Sequence, residues 1–483
     1  MLQVAKRPSA TLPPPTEEQL HILSLIRCQD NNLLVNALAG TGKTTTLEMI
    51  QSASRRQPVL CLAFNRRIAD EMERRFTPST TVRTFNGIGH RVWAKDRGKA
   101  LLEDKKCYQI LNEAIGELKG DDRRTAREAF WDILKAVGLA KALGYIPEGK
   151  FPTAKRLLTK EQLHVSLDSK PGPLEDELIH STLFRSIQGA FEGWIDYNDQ
   201  IYMPALFGGS FPRFPFVLVD EVQDLNPTNH EMLRRLVSGR LCAVGDPWQS
   251  IYGFRGAVQG GMQKLKEDFE CEEADLSISF RCPKRIVQAA HWRVPHFQWV
   301  KEGGHVEALR SLSLPSIPED AAILCRNNAP LFRLAFALLK AKRSVQVAGS
   351  EIGPRIIRTL QKLGDPRDDS EALVAKIDAW ANAKLEITNK PGLILDQAEC
   401  MKVFATFAPN LAQAVAYAEH LFKQQGSIKL STVHKAKGLE WDTVYFLDRW
   451  LCDDNEQDLN LQYVAQTRAK QTLYEIDSNN IKW

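Results

Sequence analysis

The sequence predicts an α/β protein built on two separate parallel sheets, each interrupted by a mainly helical insertion. Three observations carry this. First, short runs rich in Val, Leu and Ile fall into two groups. "NLLVNAL" (32–38), "PVLCLAF" (58–64), "FVLVDE" (216–221) and "LCAVG" (241–245) form one; "AAILCR" (321–326), "IKLSTV" (428–433), "TVYFLD" (443–448) and "TLYEI" (472–476) form the other. Runs apolar at successive positions suit strands covered on both faces, the situation of a parallel sheet. Second, amphipathic patterns lie between the runs: in "NRRIADEMERRF" Ile68, Met72 and Phe76 recur every four residues and form one stripe. Third, two long stretches lack such runs. One is helical and charged, and its "LFRSIQGAFEGWI" sets Leu183, Ile187, Ala190, Phe191 and Trp194 on one face; the other separates "AAILCR" from "IKLSTV".

Strand, turn and helix repeated in two groups give two α/β core domains. The first is expected over 1–95 and 205–265 with an insertion at 96–204, the second over 266–352 and 426–483 with a reduced insertion at 353–425. A chain of 483 residues is long enough for several cores. Its net charge, 63 − 59 = +4, permits nucleic-acid binding without arguing for it, since a local groove matters more than the total. Nine cysteines include no C-x-x-C pair, which excludes a zinc or disulfide framework by pattern and suits a reducing compartment. No apolar run is long enough to span a bilayer, and "MLQVAKRPSATLPPP" reads as a tail, not a signal peptide. The expected location is cytoplasmic or nucleoid-associated, or the host cytoplasm for a viral chain.

"ALAGTGKTT", Ala37 to Thr45, follows the first apolar run and precedes a helical pattern. It matches the phosphate loop with Ala in the first glycine position. Backbone N–H groups of Ala39, Gly40, Thr41 and Gly42 and the helix start would cradle phosphates, Lys43 would neutralise them, and Thr44 would ligate Mg²⁺. "VLVDEVQD" supplies the complementary half: Asp220, at a buried strand end, would hold the metal, and Glu221 would orient or deprotonate the attacking water. Two cofactors are therefore expected, ATP and Mg²⁺. Hydrolysis also needs positive charge on the transferring phosphoryl group, and Arg281 in "LSISFRCP" and Arg468 in "YVAQTRAKQTL" are the candidates.

The segment "VGDPWQSIYGFRGA" combines a polar turn and Gln249 with Tyr252, Phe254 and Arg255, partners for flat rings and phosphodiesters. One short loop would then touch a nucleotide at one end and a polynucleotide at the other. Stacking of a base on an aromatic ring is worth about 1–3 kcal/mol whatever the base, which suits a motor that must pass every sequence.

These motifs, in this order, resemble superfamily 1A DNA helicases of the UvrD/Rep type, and the resemblance covers both α/β units. "LPPPTEEQ" is similar to the adenine-reading segment, with Gln19 as reader, and "LAFNRRIADEM" and "VRTFNGIGHR" to strand-contacting segments. "DEVQD", "GDPWQSIYGFRGA", "LSISFRC", "LSTVHKAKGLEWDTV" and "YVAQTRAK" complete the series, and "WIDYNDQIYMP" resembles the element closing the first insertion. The wording of the Gly245–Val258 segment is also similar to the branch related to F-box DNA helicases.

The resemblance implies two RecA-like P-loop NTPase core domains. It implies that Gln249 senses the γ-phosphate, Arg281 and Arg468 clamp it, Phe280 lies against adenine and Glu440 contacts the ribose. It assigns Phe64, Asn65, Thr84, Phe85, Tyr252, Phe254, Arg255 and His434 to the DNA side. Thr45, beside the nucleotide, departs from the usual arginine, and Asn86 from the usual histidine. The implied function is an ATP-dependent 3′-to-5′ single-strand translocase and DNA helicase in repair, recombination or replication. Single-stranded DNA and duplex junctions would be its partners, with a regulatory protein partner, a monomeric core and no membrane. Two alternatives stay open: a DNA-stimulated ATPase that strips proteins from DNA with little unwinding, and a nucleotide-gated DNA-binding module.

Overall fold

A computed structural model of the chain describes residues 14–54, 57–98, 100–167, 169–253, 256, 260–348, 352–386 and 391–482. Its backbone contacts define two compact units. The first holds the residues up to Leu38 and Gly42–Leu276; the second holds Ala39–Thr41 and Ser277–Trp483. The fold is α/β, with one six-stranded parallel sheet in each unit.

In the first unit the strands are β1 (Leu33–Ala37), β2 (Val59–Ala63), β3 (Thr80–Thr84), β4 (Phe214–Val219), β5 (Val237–Gly245) and β6 (Glu272–Leu276). Their order is β3-β2-β4-β5-β1-β6, with every neighbouring pair parallel. All five residues of β2 are buried, as the uninterrupted apolar run requires. Parallel strands share one carboxyl edge, where ligands of open α/β sheets bind. The segments leaving β1, β2, β4 and β5 at that edge carry Lys43, Phe64, Asp220 and Asp246, and Thr84 ends β3 there.

The domain boundary expected at 265/266 is corrected by β6. Glu272–Leu276 pairs with β1 in the register Leu33↔Glu272 to Ala37↔Leu276, so the first unit continues through Leu276. The strand "EEADL" alternates polar and buried residues because it is an edge, and an edge strand with outward charges resembles a loop in the sequence.

Between β3 and β4 the chain is mainly helical, with Lys106–Glu117, Phe130–Leu143, Pro173–Phe191 and Asp199–Phe207 the principal helices after Phe85–Arg97. Leu183, Ile187 and Ala190 are fully buried, as the stripe predicts. Trp194 departs from the pattern. The helix stops at Phe191, Gly193 takes φ 89°, and Trp194–Ile195 is a short strand. Two buried lysines and two aspartates knit these helices together. Lys106 Nζ donates to Asp199 at 2.6 Å and to the Ser186 carbonyl at 2.6 Å; Lys141 Nζ pairs with Asp196 at 2.6 Å and with Asp199 at 2.7 Å.

The second unit has β7 (His305–Leu309), β8 (Ala322–Cys325), β9 (Val345–Val347), β10 (Ile428–Thr432), β11 (Trp441–Leu447) and β12 (Ala469–Ile476). The order β7-β12-β11-β8-β10-β9 is again parallel throughout. Four helices, Ile352–Leu363, Ser370–Leu385, Pro391–Phe407 and Leu411–Lys423, lie between β9 and β10. Their buried residues Leu360, Ile377, Met401 and Leu421 join Ile428 and Leu430 of the sheet in one apolar cluster. That insertion therefore completes the core of its own sheet. Among the described residues no helix is long and apolar enough to cross a membrane, and all nine cysteines are free thiols.

Candidate nucleotide site and strand-contacting face

The helix Lys43–Ala53 begins immediately after Gly42, whose φ of 81° is left-handed and suits glycine. Its first-turn N–H groups, with Lys43 and Thr44, start at the carboxyl edge of the sheet, where a helix N-terminus attracts phosphate. Lys43 Nζ donates to the Ala37 carbonyl at 2.8 Å and stands 3.9 Å from Asp246 Oδ2. Asp220 follows β4 directly, and its N–H donates to the Leu62 carbonyl at 3.1 Å. The next residue, Glu221, has φ 53°, a left-handed conformation that costs a non-glycine residue energy and gathers at functional sites. Glu221 N–H donates to Asp220 Oδ1 at 2.9 Å, which holds the Asp220 carboxylate against the Glu221 backbone.

The electrostatics of this cluster are those of a site short of positive charge. Burial, and then the neighbouring Glu221, push the Asp220 carboxyl up to about 7, against the opposing pull of Lys43. Burial also raises Asp246, again with Lys43 opposing. Lys43 thus opposes two buried acids whose acidic neighbours raise them further, an arrangement that a divalent cation relieves. The donor set fits Mg²⁺, which typically takes one or two protein ligands and completes its octahedron with phosphate and water. Among the described residues no group of three or more His, Cys, Asp or Glu side chains could hold a metal ion unaided.

Two residues given no role by the sequence reading complete the cluster. Gln223 donates to Glu221 Oε2 at 2.5 Å, and its Oε1 accepts the Asp246 N–H at 3.1 Å. Asp246 Oδ2 in turn accepts from Gln249 Nε2 at 2.6 Å. A continuous hydrogen-bonded chain therefore runs from Glu221 through Gln223 and Asp246 to Gln249, with all but Glu221 buried. The signal for Asp246 was available: a carboxylate ends the apolar run "LCAVGD" as another ends "FVLVD". Gln223 had none, because its role appears only when β4 and β5 lie side by side.

Gln19 is buried, and its amide is engaged within the protein, accepting the Thr16 N–H at 3.0 Å and donating to Thr46 Oγ1 at 2.9 Å. Thr45 Oγ1 accepts from Arg75 Nη2 at 3.1 Å, while the same guanidinium pairs with Glu48 at 2.8 Å. A guanidinium from the helix Arg66–Arg75 therefore lies against the Thr45 hydroxyl.

On the strand-contacting side, Phe64 and Tyr252 lie nearly parallel, with planes 7° apart and ring centroids 6.3 Å apart. Both are half-buried, leaving part of each ring accessible. Asn65 and Thr84 act locally as caps: Asn65 Oδ1 accepts from Ile68 N–H at 2.9 Å, and Thr84 Oγ1 from Gly87 N–H at 3.1 Å. Phe85 corrects the expectation of a strand contact. It is 5% exposed within the core cluster of the first unit, so its ring offers no face to a base. Asn86 Nδ2 donates to the Tyr197 carbonyl at 2.7 Å and to Gln200 Oε1 at 3.0 Å. Phe254 and Arg255 lie outside the described residues.

In the second unit, Arg281, Glu440 and Arg468 converge on one segment. Arg281 pairs with Glu440 at 2.5 Å. Arg468, 1% exposed, donates from Nε to the Val464 carbonyl at 3.0 Å and from Nη1 to the Leu439 carbonyl at 3.3 Å. Its own carbonyl accepts the Trp441 N–H at 3.0 Å. Within the same unit Ala39 N–H donates to Tyr463 Oη at 3.0 Å, Ser279 Oγ to the Ala39 carbonyl at 3.0 Å, and Phe280 N–H to the Gly40 carbonyl at 2.9 Å. The Phe280 ring is 39% exposed. Thr41 is buried, and His434 is half-buried on the short helix Val433–Ala436.

A phosphate loop after β1, an acid pair after β4 and parallel sheets define a P-loop NTPase. Comparison with known proteins narrows the class. Residues 206–270 match the UvrD/REP helicase N-terminal domain, residues 427–474 the UvrD-like helicase C-terminal domain, and residues 15–114 an AAA domain. The F-box DNA helicase protein 1 of Schizosaccharomyces pombe is 24% identical over 93% of this chain and 56% of its own length. F-box DNA helicase 1 of Gallus gallus is 25% identical over 95% and 48%, and DNA helicase IV of Escherichia coli 26% over 54% and 45%. The chain spans about half the length of these relatives. These matches support a helicase of the UvrD/Rep type, the family that the motifs resemble.

Proposed function

We propose that the chain is an ATP-dependent, 3′-to-5′ single-stranded DNA translocase and DNA helicase. The observation that carries this is the hydrogen-bonded chain Glu221–Gln223–Asp246–Gln249, which ends three residues before Tyr252, the partner of Phe64. A change at the γ-phosphate felt by Gln249 reaches, through so short a tether, a ring suited to stacking on a base.

In this reading Lys43 and the first turn of its helix bind the triphosphate, and Glu221 orients or deprotonates the attacking water. Thr44 and Asp220 hold Mg²⁺, which supplies positive charge to the phosphates. Arg281 and Arg468 provide the remaining charge on the transferring group, while Phe280 and Glu440 serve the base and the ribose. For Arg281 to do so its pair with Glu440 must open, so nucleotide binding and the loss of that pair are linked. Residues 96–204 and 353–425 serve as insertions. Direction of travel and a role in repair, recombination or replication rest on the family resemblance.

ATPase activity is expected to rise at least tenfold with single-stranded DNA. A duplex with a 3′ single-stranded tail should be unwound in preference to one with a 5′ tail; preference for the 5′ tail would overturn the direction. A second reading, a translocase that strips proteins with little unwinding, is favoured by the shortness of the four-helix insertion between β9 and β10. Strong DNA-stimulated ATPase without displacement of a long duplex selects it. Unstimulated, slow ATPase would instead leave a nucleotide-gated binding module.

The aromatic pair makes its own prediction. Phe64→Ala or Tyr252→Ala should weaken binding to oligothymidylate about five- to a hundredfold, the weight of one stacked base, with little change in ATPase measured without DNA. Fluorescence anisotropy at fixed salt reads this directly; unchanged affinity in both variants would reduce the pair to packing.

A further inference from the structure

A cavity of about 780 Å³ lies within the first unit, apart from the nucleotide cluster. Its size is in the range of small-ligand sites. Leu139 and Leu143 of the helix Phe130–Leu143 form one wall with Leu157 and Leu158. His230, on the helix Pro227–Leu236, and Lys264, on Gly261–Phe269, form another, and the backbone of Gly253 and Gly256 reaches the cavity from the segment that carries Tyr252. Gly256 is closely packed there: a Cβ added to it would come 3.3 Å from Ala142 and Leu139.

Three features distinguish this cavity from a packing defect. His230 is 2% exposed, yet neither ring nitrogen has a hydrogen-bond partner among the described residues. Asp268 lies 3.8 Å from Nδ1, beyond hydrogen-bonding distance. A buried polar group left in that condition is destabilising, and a ligand that hydrogen-bonds to it relieves the cost. Burial holds the imidazole down at about 4, so at neutral pH it presents one N–H donor and one acceptor, a pattern that complements a base edge. The charge is also one-sided: Lys155, Arg234 and Lys264 face Asp268 as the one acid of the lining. Lys155 pairs with Glu231 at 2.6 Å and Arg234 with Asp268 at 2.6 Å, whereas Lys264 forms no ion pair among the described residues and is exposed.

We propose that this cavity receives one nucleotide of the bound single strand, its base turned inward between the leucines and His230 and its phosphate held by Lys264. This rests on the strand-binding reading above. Tyr252 adjoins Gly253 of the lining in the chain, which puts the cavity within reach of a strand stacked on Tyr252. A glutamate-rich peptide would satisfy the cations, but it would leave the neutral imidazole and the aliphatic walls without complements.

The test is photo-cross-linking of the full chain to oligothymidylate carrying 5-iododeoxyuridine, with the attached peptides mapped by mass spectrometry. Cross-links are expected on the segment 227–236 as well as around Tyr252. Leu139→Trp, which fills the cavity, should abolish the first set, keep the second, and weaken oligothymidylate binding about fivefold or more. His230→Phe, which retains a ring and removes both nitrogens, is the companion variant should the tryptophan disturb folding, and should act in the same direction. Neither change should alter ATPase measured without DNA.

Cross-links at Tyr252 with none on 227–236, or unchanged affinity in both variants, would overturn the cavity while leaving the motor reading intact. Labelling of 227–236 by a photoreactive glutamate-rich peptide and not by DNA would reassign it to an acidic partner. Absence of every cross-link together with absence of DNA-stimulated ATPase would remove the strand-binding reading, and this proposal with it.

Discussion

Lys43→Ala is expected to lower ATP turnover at least about a thousandfold, and Glu221→Gln by a similar factor, for different reasons. Lys43 opposes the charge of the two buried acids Asp220 and Asp246, and Glu221 lies beside Asp220. Removing it takes charge from the phosphates and also leaves the acids repelling each other and any anion that approaches. Loss of one preorganised electrostatic contact typically costs a factor of 10²–10³, and here the approach of the anion is compromised as well. Nucleotide affinity should therefore fall together with turnover. Glu221→Gln keeps the shape of the side chain and removes its charge. It should retain nucleotide, and more tightly for the loss of repulsion, while hydrolysis stops. Steady-state phosphate release and equilibrium binding of a fluorescent ATP analogue separate the two outcomes. Near-normal turnover in Glu221→Gln would move the base elsewhere, with Asp246 the next candidate on the same hydrogen-bonded chain.

Gln223→Leu tests the chain itself. It leaves every acid and Lys43 in position but cuts the link between Glu221 and Asp246. Coupling, not hydrolysis, should suffer most: basal ATPase should drop modestly while stimulation by single-stranded DNA shrinks several-fold. Equal loss of basal and stimulated rates would make Gln223 a plain support for Glu221.

What the sequence revealed and what it concealed follow one physical line. Strands buried on both faces, such as "VLCLA" and "FVLV", are conspicuous because every position must be apolar. The edge strands β6, "EEADL", and β7, "HVEAL", bury only part of their residues and carry charges outward, so they read as loops. For that reason the sequence alone places the end of the first unit before Leu276. The phosphate loop and the acid pair were legible because their chemistry needs particular residues in contiguous order. Gln223, Asp246 and Arg75 act through partners distant in the chain or across neighbouring strands, and their roles appear only after folding. Phe85 marks the opposite case: the resemblance assigns it to the DNA side, but its side chain is buried in the core of the first unit. The buried His230 lay on a helix that no motif singled out.

The largest stability effect is expected at the buried charge network of the first unit. Lys141→Met should cost about 3–5 kcal/mol, because it strands Asp196 and Asp199 in a dry interior with Lys106 alone to balance them. The network's pH response follows from its bonds. Burial pushes the Asp196 carboxyl up, but the charge and hydrogen bond of Lys141, helped by the Cys107 thiol, outweigh this and hold it at about 2. A carboxyl depressed from 3.8 to about 2 contributes stability that is fully present above the unfolded value and is lost as pH falls from about 4 towards 2. Urea unfolding at pH 7 and pH 3 should therefore show a smaller gap between wild type and Lys141→Met at the lower pH. Pairing Lys141→Met with Asp196→Leu should recover part of the loss, since the second change removes one of the stranded charges. The location gives the network its functional meaning. Lys141 is in the helix that supplies Leu139 and Leu143 to the cavity wall, and Asp199 begins the helix that leads towards β4 and Asp220. An insertion fastened by buried charge keeps Leu139 and Leu143 in place on the cavity wall, as the proposed strand contact requires. If the double variant regains stability but loses DNA-stimulated ATPase, the charges serve that alignment; if both return together, apolar packing would have served equally well.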